Sequence, residues 1–431
     1  MMSSTIGITG LGYVGLPLSL QFARSCSTVL GFYIDSVKTD ALNAGESYIL
    51  HIPAEAVKAQ RNAGRFAATT DFARVQECEA IIICVPTPLA KHRDPDLTYV
   101  LNTGRAIAPH LLRGQLVVLE STTYPGTTDT ELREILESGS GLKAGEDFHL
   151  AFSPEREDPG NPQSDVAHIP KIVGGLTPAC REHALAVYGR AIQTLVPVES
   201  CRVAEAVKLT ENIFRAVNIA MVNELKVVYA AMGIDIWDVI DAAKTKPFGF
   251  MPFYPGPGLG GHCIPIDPFY LTWKAREYGQ ETRFIELVGE INTAMPAYVI
   301  QRVAEALADT RQTIRGSRIL MIGIAYKANV DDDRESPAYV LWEMLEKQGA
   351  VVAYHDPHVP VIRPSREHAH FAGRKSVELT ADAITGYDLV LVATHHQAVD
   401  WSLIAQKAKI VVDSRNALGK AMKGQKHYYK A

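Results

Sequence analysis

The sequence predicts an α/β protein in which two doubly wound domains are joined by a central all-helical domain with a long helix. Short apolar runs alternate with helical patterns in the first half, an uninterrupted helical pattern fills the middle, and strand signals return after residue 315. At 431 residues the chain is too long for one core. We expect domains at 1–200, 201–305 and 306–431.

The four predicted strands of the first half are continuous apolar runs bounded by turn residues, as in a buried parallel sheet: Ile6–Thr9, Val29–Phe32, Ala80–Val85 and Leu116–Glu120. Helical patterns lie between them, at Gly15–Ser25 and Thr98–His110. Strand, helix and strand at this spacing indicate a doubly wound sheet.

The spacing of apolar residues along the sequence changes at about residue 204. The segment Glu205–Met232 contains neither glycine nor proline and is apolar over much of its circumference, which predicts one long helix or two nearly continuous ones. Four strand signals follow: Arg318–Ala325, Ala350–Tyr354, Asp388–Thr394 and Lys409–Asp413. In the helix between the first two, Ser336 and Pro337 suit the N-cap and N1 positions, and Gly349 suits C′.

Composition excludes several classes of protein. Lys and Arg number 43 and Asp and Glu number 48, a formal charge of −5, so the chain is a poor candidate for binding nucleic acid. The longest apolar runs are strand-sized and far short of the ~18 residues that a membrane helix needs, so we expect no membrane partner. The first five residues show no export signal.

The six cysteines are scattered, with no CxxC pair and no spacing that suggests zinc. This usage favours a reducing, cytoplasmic compartment, and we expect no metal. Most of these cysteines should be small buried hydrophobic residues.

A glycine fingerprint, Gly10-x-Gly12-x-x-Gly15, follows the first strand and opens a helix. The first glycine permits the tight turn, the second lets the backbone approach a pyrophosphate, and the third lets helix pack on strand. Phosphates would lie at the helix N-terminus. This pattern predicts a Rossmann-like dinucleotide-binding domain.

The carboxylate that binds the adenosine ribose is expected about twenty residues further on. Asp35 lies at about that distance, although it can equally be the turn residue after the strand. No basic residue follows the strand directly, which favours NAD over NADP.

The segment 254–263 combines four glycines and two prolines with a terminal cysteine, Cys263, next to His262. These surroundings are typical of a reactive thiolate, whereas Cys263 taken alone would be a buried structural thiol. Asp267 before Pro268 can be a catalytic carboxylate or simply a helix N-cap.

Lys208 and Asn212 are four residues apart on the long helix and point the same way. A buried lysine needs a partner or substrate, although a solvated stripe is the alternative. Thr122 and Glu155 follow probable strands, where sites in such sheets lie.

Five segments together resemble the UDP-glucose/GDP-mannose dehydrogenase family, in order over essentially the whole chain. They are GlyLeuGlyTyrValGlyLeuPro at 10–17, SerThrThrTyrProGlyThrThr at 121–128, LysLeuThrGluAsn at 208–212, GlyGlyHisCysIleProIleAsp at 260–267 and AspAspArgGluSerPro at 332–337. The segment 255–271 looks most like the UDP-N-acetylglucosamine 6-dehydrogenase branch. UDP-glucose enzymes usually carry serine where His262 stands and lysine where Ile266 stands.

The resemblance implies oxidation of a sugar C6 alcohol to a carboxylate with two NAD+, for surface polysaccharide synthesis. Cys263 would form a thiohemiacetal and then a thioester, while Lys208 and Asn212 hold the oxyanion. Asp267, through a water held with Thr122, would be the first base, and Glu155 would activate water on the thioester.

The resemblance also implies two sets of binding residues. The NAD set comprises Gly10, Gly12, Tyr13, Val14, Gly15, Asp35, Pro86, Thr87, Thr122 and Arg334. The UDP-sugar set comprises Glu155, Arg156, Lys208, Asn212, Lys246, Tyr254, Gly258, Gly260, Tyr326, Lys327 and Arg415, with Lys246 donated across a homodimer that forms through the central helix.

Relatives carry aspartate where this chain has Tyr33, and that aspartate binds the adenosine ribose. We therefore expect a raised KM for NAD that falls in a Tyr33→Asp variant. The resemblance prefers N-acetylglucosamine and leaves glucose, N-acetylmannosamine and N-acetylgalactosamine open as the sugar. Two other functions also stay open at this stage. A two-electron β-hydroxyacid dehydrogenase would not need Cys263, and a non-catalytic relative would bind UDP-sugar without using the cofactor.

Overall fold

A computed structural model of the chain describes residues 5–49, 52–89, 94–156, 166–261, 264, 266–365 and 368–431. Contacts divide it into two units, Met1–Asn212 with Ile266–Glu281, and Ile213–Pro265 with Thr282–Ala431. The predicted fold class is confirmed, with parallel sheets toward both ends of the chain and a long helix in the middle.

The first sheet has eight strands within the described ranges, in the order β3-β2-β1-β4-β5-β6-β7-β8. All neighbours pair in parallel except β6 and β7. The strands are β1 (Thr5–Thr9), β2 (Thr28–Phe32), β3 (Phe66–Thr69), β4 (Ala80–Ile83), β5 (Leu116–Leu119), β6 (His149–Phe152), β7 (Lys171–Gly175) and β8 (Leu195–Val198).

Both faces of this sheet are buried, which explains the continuous apolar runs. Ile82 and Val118 belong to the core on one face, while Ile81 and Val117 belong to the core on the other. The strand order reverses between β1 and β4, and ligands of such sheets bind at that switch point.

The α-helices that precede the long helix are α1 (Gly15–Arg24), α2 (Ser36–Asn43), α3 (Ala54–Asn62), α4 (Thr98–Ile107), α5 (Arg133–Ser140) and α6 (Pro178–Tyr188). The long helix α7 (Cys201–Ala231) follows and is predicted well. The other helices are α8 (Ile236–Ala243), α9 (Asp267–Glu277), α10 (Arg283–Ala308), α11 (Pro337–Lys347), α12 (Ala381–Thr385) and α13 (Trp401–Lys407).

The second sheet is parallel throughout its described strands, in the order β10-β9-β11-β12-β13. They are β9 (Arg318–Ile322), β10 (Val351–His355), β11 (Leu389–Val392), β12 (Val411–Asp413) and β13 (Tyr428–Lys430). The predicted caps of α11 are confirmed, since the Ser336 side chain accepts a hydrogen bond from the Ala338 amide and Gly349 has φ +89°. Among the described residues, no helix is long and apolar enough to cross a membrane.

Candidate active site

The glycine-rich turn between β1 and α1 has the geometry that the fingerprint predicts. Gly10 has φ +88°, and a Cβ there would lie 2.4 Å from the Cys84 carbonyl oxygen. A Cβ on Gly15 would lie 2.0 Å from the Gly10 oxygen, whereas one on Gly12 would meet nothing within 4 Å. The turn is therefore tight on the protein side and open at Gly12, where a pyrophosphate could approach.

Helix α1 begins at this turn without a side-chain cap, and its first turn contains no acidic residue. Its N–H groups and dipole are thus suited to an anion. Tyr13 and Val14, also predicted to bind cofactor, lie in the same turn and pack partly buried against the core.

Pro86 and Thr87 follow β4, the strand next to β1 across the switch point. The Tyr270 hydroxyl of α9 donates to the Thr87 carbonyl at 2.8 Å. This contact ties helix α9 to the cofactor edge of the sheet, which sequence reasoning missed because Tyr270 lies 183 residues away along the chain.

The predicted ribose end of the site has no carboxylate at the position that the resemblance implies. The Asp35 carboxylate accepts from the amides of Val37 and Lys38, so it serves as the N-cap of α2. Tyr33 stands at the end of β2, and its amide donates to the Thr69 carbonyl. A ribose contact by Asp35 stays a prediction.

Three predicted catalytic side chains come together in the first unit. The Asn212 amide donates to the Asp267 carboxylate, and the Lys208 ammonium donates to the Glu155 carbonyl oxygen at 2.5 Å. Lys208 and Asn212 are both buried, which rules out the solvated-stripe interpretation of this helix face.

Helix α7 is anchored one turn before Lys208. The buried Glu205 carboxylate accepts from the amides of Gly126 and Thr128 and from the Thr128 hydroxyl, at 2.6–2.9 Å. Three hydrogen bonds to the loop after β5 fix the register of the helix there. Thr122, the other predicted residue of that loop, lies half-buried just beyond β5.

Asp267 is 3% exposed. Burial raises the pKa of its carboxyl to about 7, against the opposing effects of the Lys208 charge and the Asn212 hydrogen bond. The N-cap interpretation is wrong, since α9 begins at Asp267 itself, with Ile266 at the cap position and no side-chain cap. A carboxyl with a pKa near neutrality is suited to general-base chemistry.

Glu155 faces a buried cation that sequence reasoning missed. The Lys171 ammonium lies 3.6 Å from the Glu155 carboxylate and 3.1 Å from that of Glu120, which also accepts from the Tyr188 hydroxyl. Nothing in the sequence around Lys171 signals this position, because strands β5, β6 and β7 bring the groups together only in the folded sheet.

Arg156 binds Glu211 of α7 through two hydrogen bonds, of 2.6 and 3.3 Å. In this structure its guanidinium is therefore held by the protein. A contact of Arg156 with substrate stays a prediction.

Cys263, His262 and Pro265 lie outside the described residues. Of the described cysteines, Cys78, Cys84, Cys180 and Cys201 are buried and Cys26 is exposed. Burial raises the thiol pKa of Cys78 to about 12 and holds those of Cys84 and Cys201 well above the ordinary value. These thiols are structural, as the sequence predicts for most of its cysteines.

A pocket of about 430 Å³ in the second unit collects four predicted substrate residues, Tyr254, Tyr326, Lys327 and Arg415. It lies beyond the carboxyl ends of β9, β11 and β12, where sites in such sheets are found. The Arg415 Nε donates to the Ala393 carbonyl at 3.0 Å. Burial lowers the pKa of Arg415 to about 10, against the opposing charge of Asp413.

Trp237 and His395 also line this pocket, and sequence reasoning missed both. The rings of Trp237 and Tyr254 are stacked at 5.5 Å with an interplanar angle of 13°. The signal available for His395 is its place directly after the β11 strand run. Trp237 lies on α8 and carries no such signal.

The glycines of the segment 254–261 are required by close packing. A Cβ on Gly256 would lie 2.3 Å from an Arg415 nitrogen, and one on Gly260 would lie 2.8 Å from the Tyr326 Cβ. Gly258 and Gly261 have φ +144° and +80°. The loop is therefore shaped around two residues of the pocket.

Lys246 and Arg334 also belong to the second unit. Lys246 is exposed, with its ammonium 5.0 Å from the centre of the Phe248 ring. Arg334 binds the Asp332 carboxylate through two hydrogen bonds, of 2.7 and 2.6 Å. Their roles toward a partner subunit and toward NAD stay predictions.

Three family models match the chain in order. They are the NAD binding domain (residues 4–192), the central domain (202–294) and the UDP binding domain (320–420) of the UDP-glucose/GDP-mannose dehydrogenase family.

Relatives with different sugars in their names match at similar identity. A UDP-N-acetyl-D-glucosamine 6-dehydrogenase of Pseudomonas aeruginosa is 37% identical over 360 residues, 83% of this chain and 84% of that protein. An NDP-N-acetyl-D-galactosaminuronic acid dehydrogenase of Ralstonia solanacearum is 34% identical over 95% of both chains. The solved structure of a UDP-D-ManNAc dehydrogenase from Pyrococcus horikoshii superposes with a TM-score of 0.88 at 31% identity, over 99% of this chain and 98% of that one.

The chain therefore belongs to the UDP-glucose/GDP-mannose dehydrogenase family. It is an NAD-dependent nucleotide-sugar dehydrogenase, and the match to the NAD binding domain spans the first sheet.

Proposed function

We propose that the protein oxidises the C6 alcohol of a UDP-N-acetylhexosamine to the uronic acid in two NAD-dependent steps, and that this substrate is UDP-N-acetylglucosamine. The observation that carries this proposal is the buried cluster of Lys208, Asn212 and Asp267, in which a carboxyl has a pKa of about 7. A base of that strength can accept a proton from an alcohol at neutral pH and release it again.

In the first oxidation, Asp267 accepts the proton of the C6 hydroxyl. Asn212 holds the carboxylate by its hydrogen bond, and Lys208 stabilises the developing alkoxide by its charge. NAD, when bound, accepts a hydride in each of the two oxidations. The turn Gly10–Gly15 would hold its pyrophosphate, and Pro86 and Thr87 lie on the same edge of the sheet.

In the second oxidation, the Cys263 thiolate adds to the C6 aldehyde, forming a C–S bond and a thiohemiacetal. Loss of the second hydride gives a thioester, and water then cleaves the C–S bond to release the carboxylate and the thiol. The balance is one alcohol, one water and two NAD+ giving one carboxylate, two NADH and three protons. Glu155, oriented by Lys171, would take the proton of the attacking water.

The pocket in the second unit has the chemistry of a nucleoside diphosphate site. The stacked rings of Trp237 and Tyr254 offer a flat apolar wall, and Lys327 and Arg415 offer positive charge. We propose that it binds the UDP group, with Tyr326 and the glycines at 258 and 260 shaping the approach.

The three matched ranges support the predicted parts at 1–200, 201–305 and 306–431. We propose that the protein works in the cytoplasm and that its uronic acid product enters surface polysaccharide. N-acetylglucosamine is favoured among the sugars by the segment 255–271.

A homodimer through the central helix is supported by an exposed apolar stripe on α7. Phe214, Met221 and Val228 lie seven residues apart and are 49%, 42% and 47% exposed. Seven-residue spacing places them in one line, as in a helix–helix seam. In light scattering, Met221→Glu should give monomers while Glu224→Gln on the same helix keeps the wild-type mass. A wild-type monomer contradicts the dimer.

The function is tested by a panel of UDP-sugars scored for NADH formed per acid produced. We expect UDP-N-acetylglucosamine to give two NADH, and Cys263→Ala to lose uronic acid formation while retaining binding of UDP. One NADH per sugar would indicate a two-electron dehydrogenase. Full activity in the Cys263→Ala variant would remove the thioester route, and preference for another epimer would correct the sugar.

A further inference from the structure

The adenosine-ribose end of the NAD site holds a cation and two phenols in place of a carboxylate. Asp35, the nearest acid, is engaged as the N-cap of α2, with its Oδ1 3.0 Å from the Val37 amide. Tyr33 occupies the position at the end of β2 where a ribose-binding acid belongs. A carboxylate there would repel a 2′-phosphate, and this chain does not place one at that position.

Lys38 brings a positive charge to the same point. It lies one turn into α2, and its ammonium donates to the Tyr33 hydroxyl at 3.4 Å. The ammonium also lies 5.2 Å from the centre of the Tyr33 ring and 5.4 Å from that of Tyr48. Sequence reasoning missed this cation because it looked only directly after the strand.

Tyr48 joins this group to the phosphate-binding turn. Its hydroxyl donates to the Leu11 carbonyl, between the first two glycines of the fingerprint, and its ring stacks on Tyr33 at 6.5 Å. Burial raises the pKa of this phenol, so it remains a neutral donor. Tyr33, Lys38 and Tyr48 therefore form a continuous wall from the turn outward.

The Asp35 carboxylate forms an ion pair with the Lys38 ammonium at 3.8 Å. Both side chains of this pair are 41% exposed, and an ion pair in such a setting contributes little. A phosphate dianion can therefore compete for the Lys38 ammonium, since charge-assisted hydrogen bonds to phosphate are stronger than a loose contact of this kind.

We propose that Tyr33, Lys38 and Tyr48 form an adenosine-ribose subsite that accepts a 2′-phosphate, so that the protein binds NADP as well as NAD. Lys38 binds the 2′-phosphate, and the Tyr33 hydroxyl donates to the ribose or to the phosphate. The inference rests on the nucleotide site of the proposed function and deepens it, because it assigns the cofactor range of that site.

Titration calorimetry on the full chain tests the proposed 2′-phosphate site by measuring ligand binding, independently of catalysis. The two ligands are 5′-AMP and adenosine 2′,5′-diphosphate, which differ only in the 2′-phosphate, and saturating UDP fills the other nucleotide pocket. We expect the 2′-phosphorylated ligand to bind at least as tightly as AMP. Lys38→Ala should weaken it about tenfold, the size of one charge-assisted hydrogen bond, and leave AMP within about twofold.

Lys347→Ala, at the exposed end of α11, removes the same charge elsewhere and should change neither affinity. Binding of the 2′-phosphorylated ligand ten or more times weaker than AMP, or an unchanged ratio in Lys38→Ala, would overturn the inference. Neither result touches the proposed function, which the NADH count tests separately.

Discussion

The side-chain amide of Asn212 donates a hydrogen bond to the carboxylate of Asp267, 55 residues further along the chain and on another helix. Both groups are buried. The amide holds one oxygen of the carboxylate in place, while burial keeps the proton affinity of that carboxyl near neutral pH.

Asp267→Asn should lose activity at least a hundredfold because the base is gone. It should also stabilise the fold at pH 8. The folded pKa of about 7 lies above the unfolded value, so stability falls as pH rises from about 4 to 7, and the full cost of the buried charge is present above 7. Urea unfolding should show a gain of about 2–4 kcal/mol at pH 8 and a clearly smaller gain at pH 5. An equal loss at both pH values would contradict a buried ionised carboxylate.

The wild-type rate should depend on the same group. The base acts when deprotonated, so kcat/KM should fall about tenfold per pH unit below about 7. Measuring the profile with saturating NAD checks this. If kcat/KM stayed unchanged down to pH 5, the proton transfer would have to be assigned to another residue.

Gly12→Ala and Gly15→Ala form a matched pair in one turn. A Cβ on Gly12 meets nothing within 4 Å, so Gly12→Ala should fold normally and weaken NAD at least tenfold by filling the phosphate approach. A Cβ on Gly15 lies 2.0 Å from the Gly10 oxygen, so Gly15→Ala should destabilise the fold by about 3 kcal/mol or more. Thermal unfolding and NAD titration separate the two effects, and unchanged NAD affinity in Gly12→Ala would move the pyrophosphate elsewhere.

Tyr33→Asp should lower the KM and Kd for NAD about tenfold, because it places a carboxylate opposite the ribose hydroxyls. Tyr33→Phe is the control, since it keeps the ring and loses only the hydroxyl that Lys38 contacts. NAD affinity that is unchanged or weaker in Tyr33→Asp would show that the wild-type tyrosine already serves the ribose well.

Lys226 on α7 is buried, and its ammonium makes no hydrogen bond to any described residue. Burial, with the nearby Arg415 charge, lowers its pKa to about 7. The unfolded chain then binds more protons between pH 7 and about 10, so stability should rise with pH across that window. Lys226→Met should stabilise the fold by about 1–3 kcal/mol at pH 6 and by less at pH 9. The control variant Lys347→Met, at an exposed position, should leave the free energy of unfolding unchanged at both pH values. A destabilised Lys226→Met at pH 6 would show that the amine has a partner.

Local sequence predicts strands best where they are buried on both faces and read as continuous apolar runs. No predicted strand range covers β3, β6, β7, β8 or β13. β13 is a three-residue edge strand with two tyrosines, β8 contains Pro197, and β7 ends in two glycines. Such short strands carry too little pattern to be distinguished from a loop.

The proposed catalytic side chains are predictable from residue types and spacings, whereas their neighbours in the folded structure are not. Lys208 and Asn212 share a helix face, so four-residue spacing is sufficient to pair them. The Lys171–Glu120 ion pair and the Tyr48–Leu11 contact depend on which strands and loops become neighbours, which single-sequence patterns do not encode. The sequence allows Asp35 to be either a ribose ligand or the turn residue after the strand, and its role as the N-cap of α2 appears only in the folded structure.

The first unit is completed by residues 266–281, which are synthesised after the whole segment 213–265 of the second unit. Until they emerge from the ribosome, Tyr124 lacks the Trp273 ring that packs 5.0 Å from it, and Thr87 lacks the Tyr270 hydroxyl. During synthesis, the surface around Tyr124 and Thr87 that α9 covers therefore stays exposed until that helix has been made. A gene fragment ending at residue 212 would express a polypeptide in which this surface is never covered.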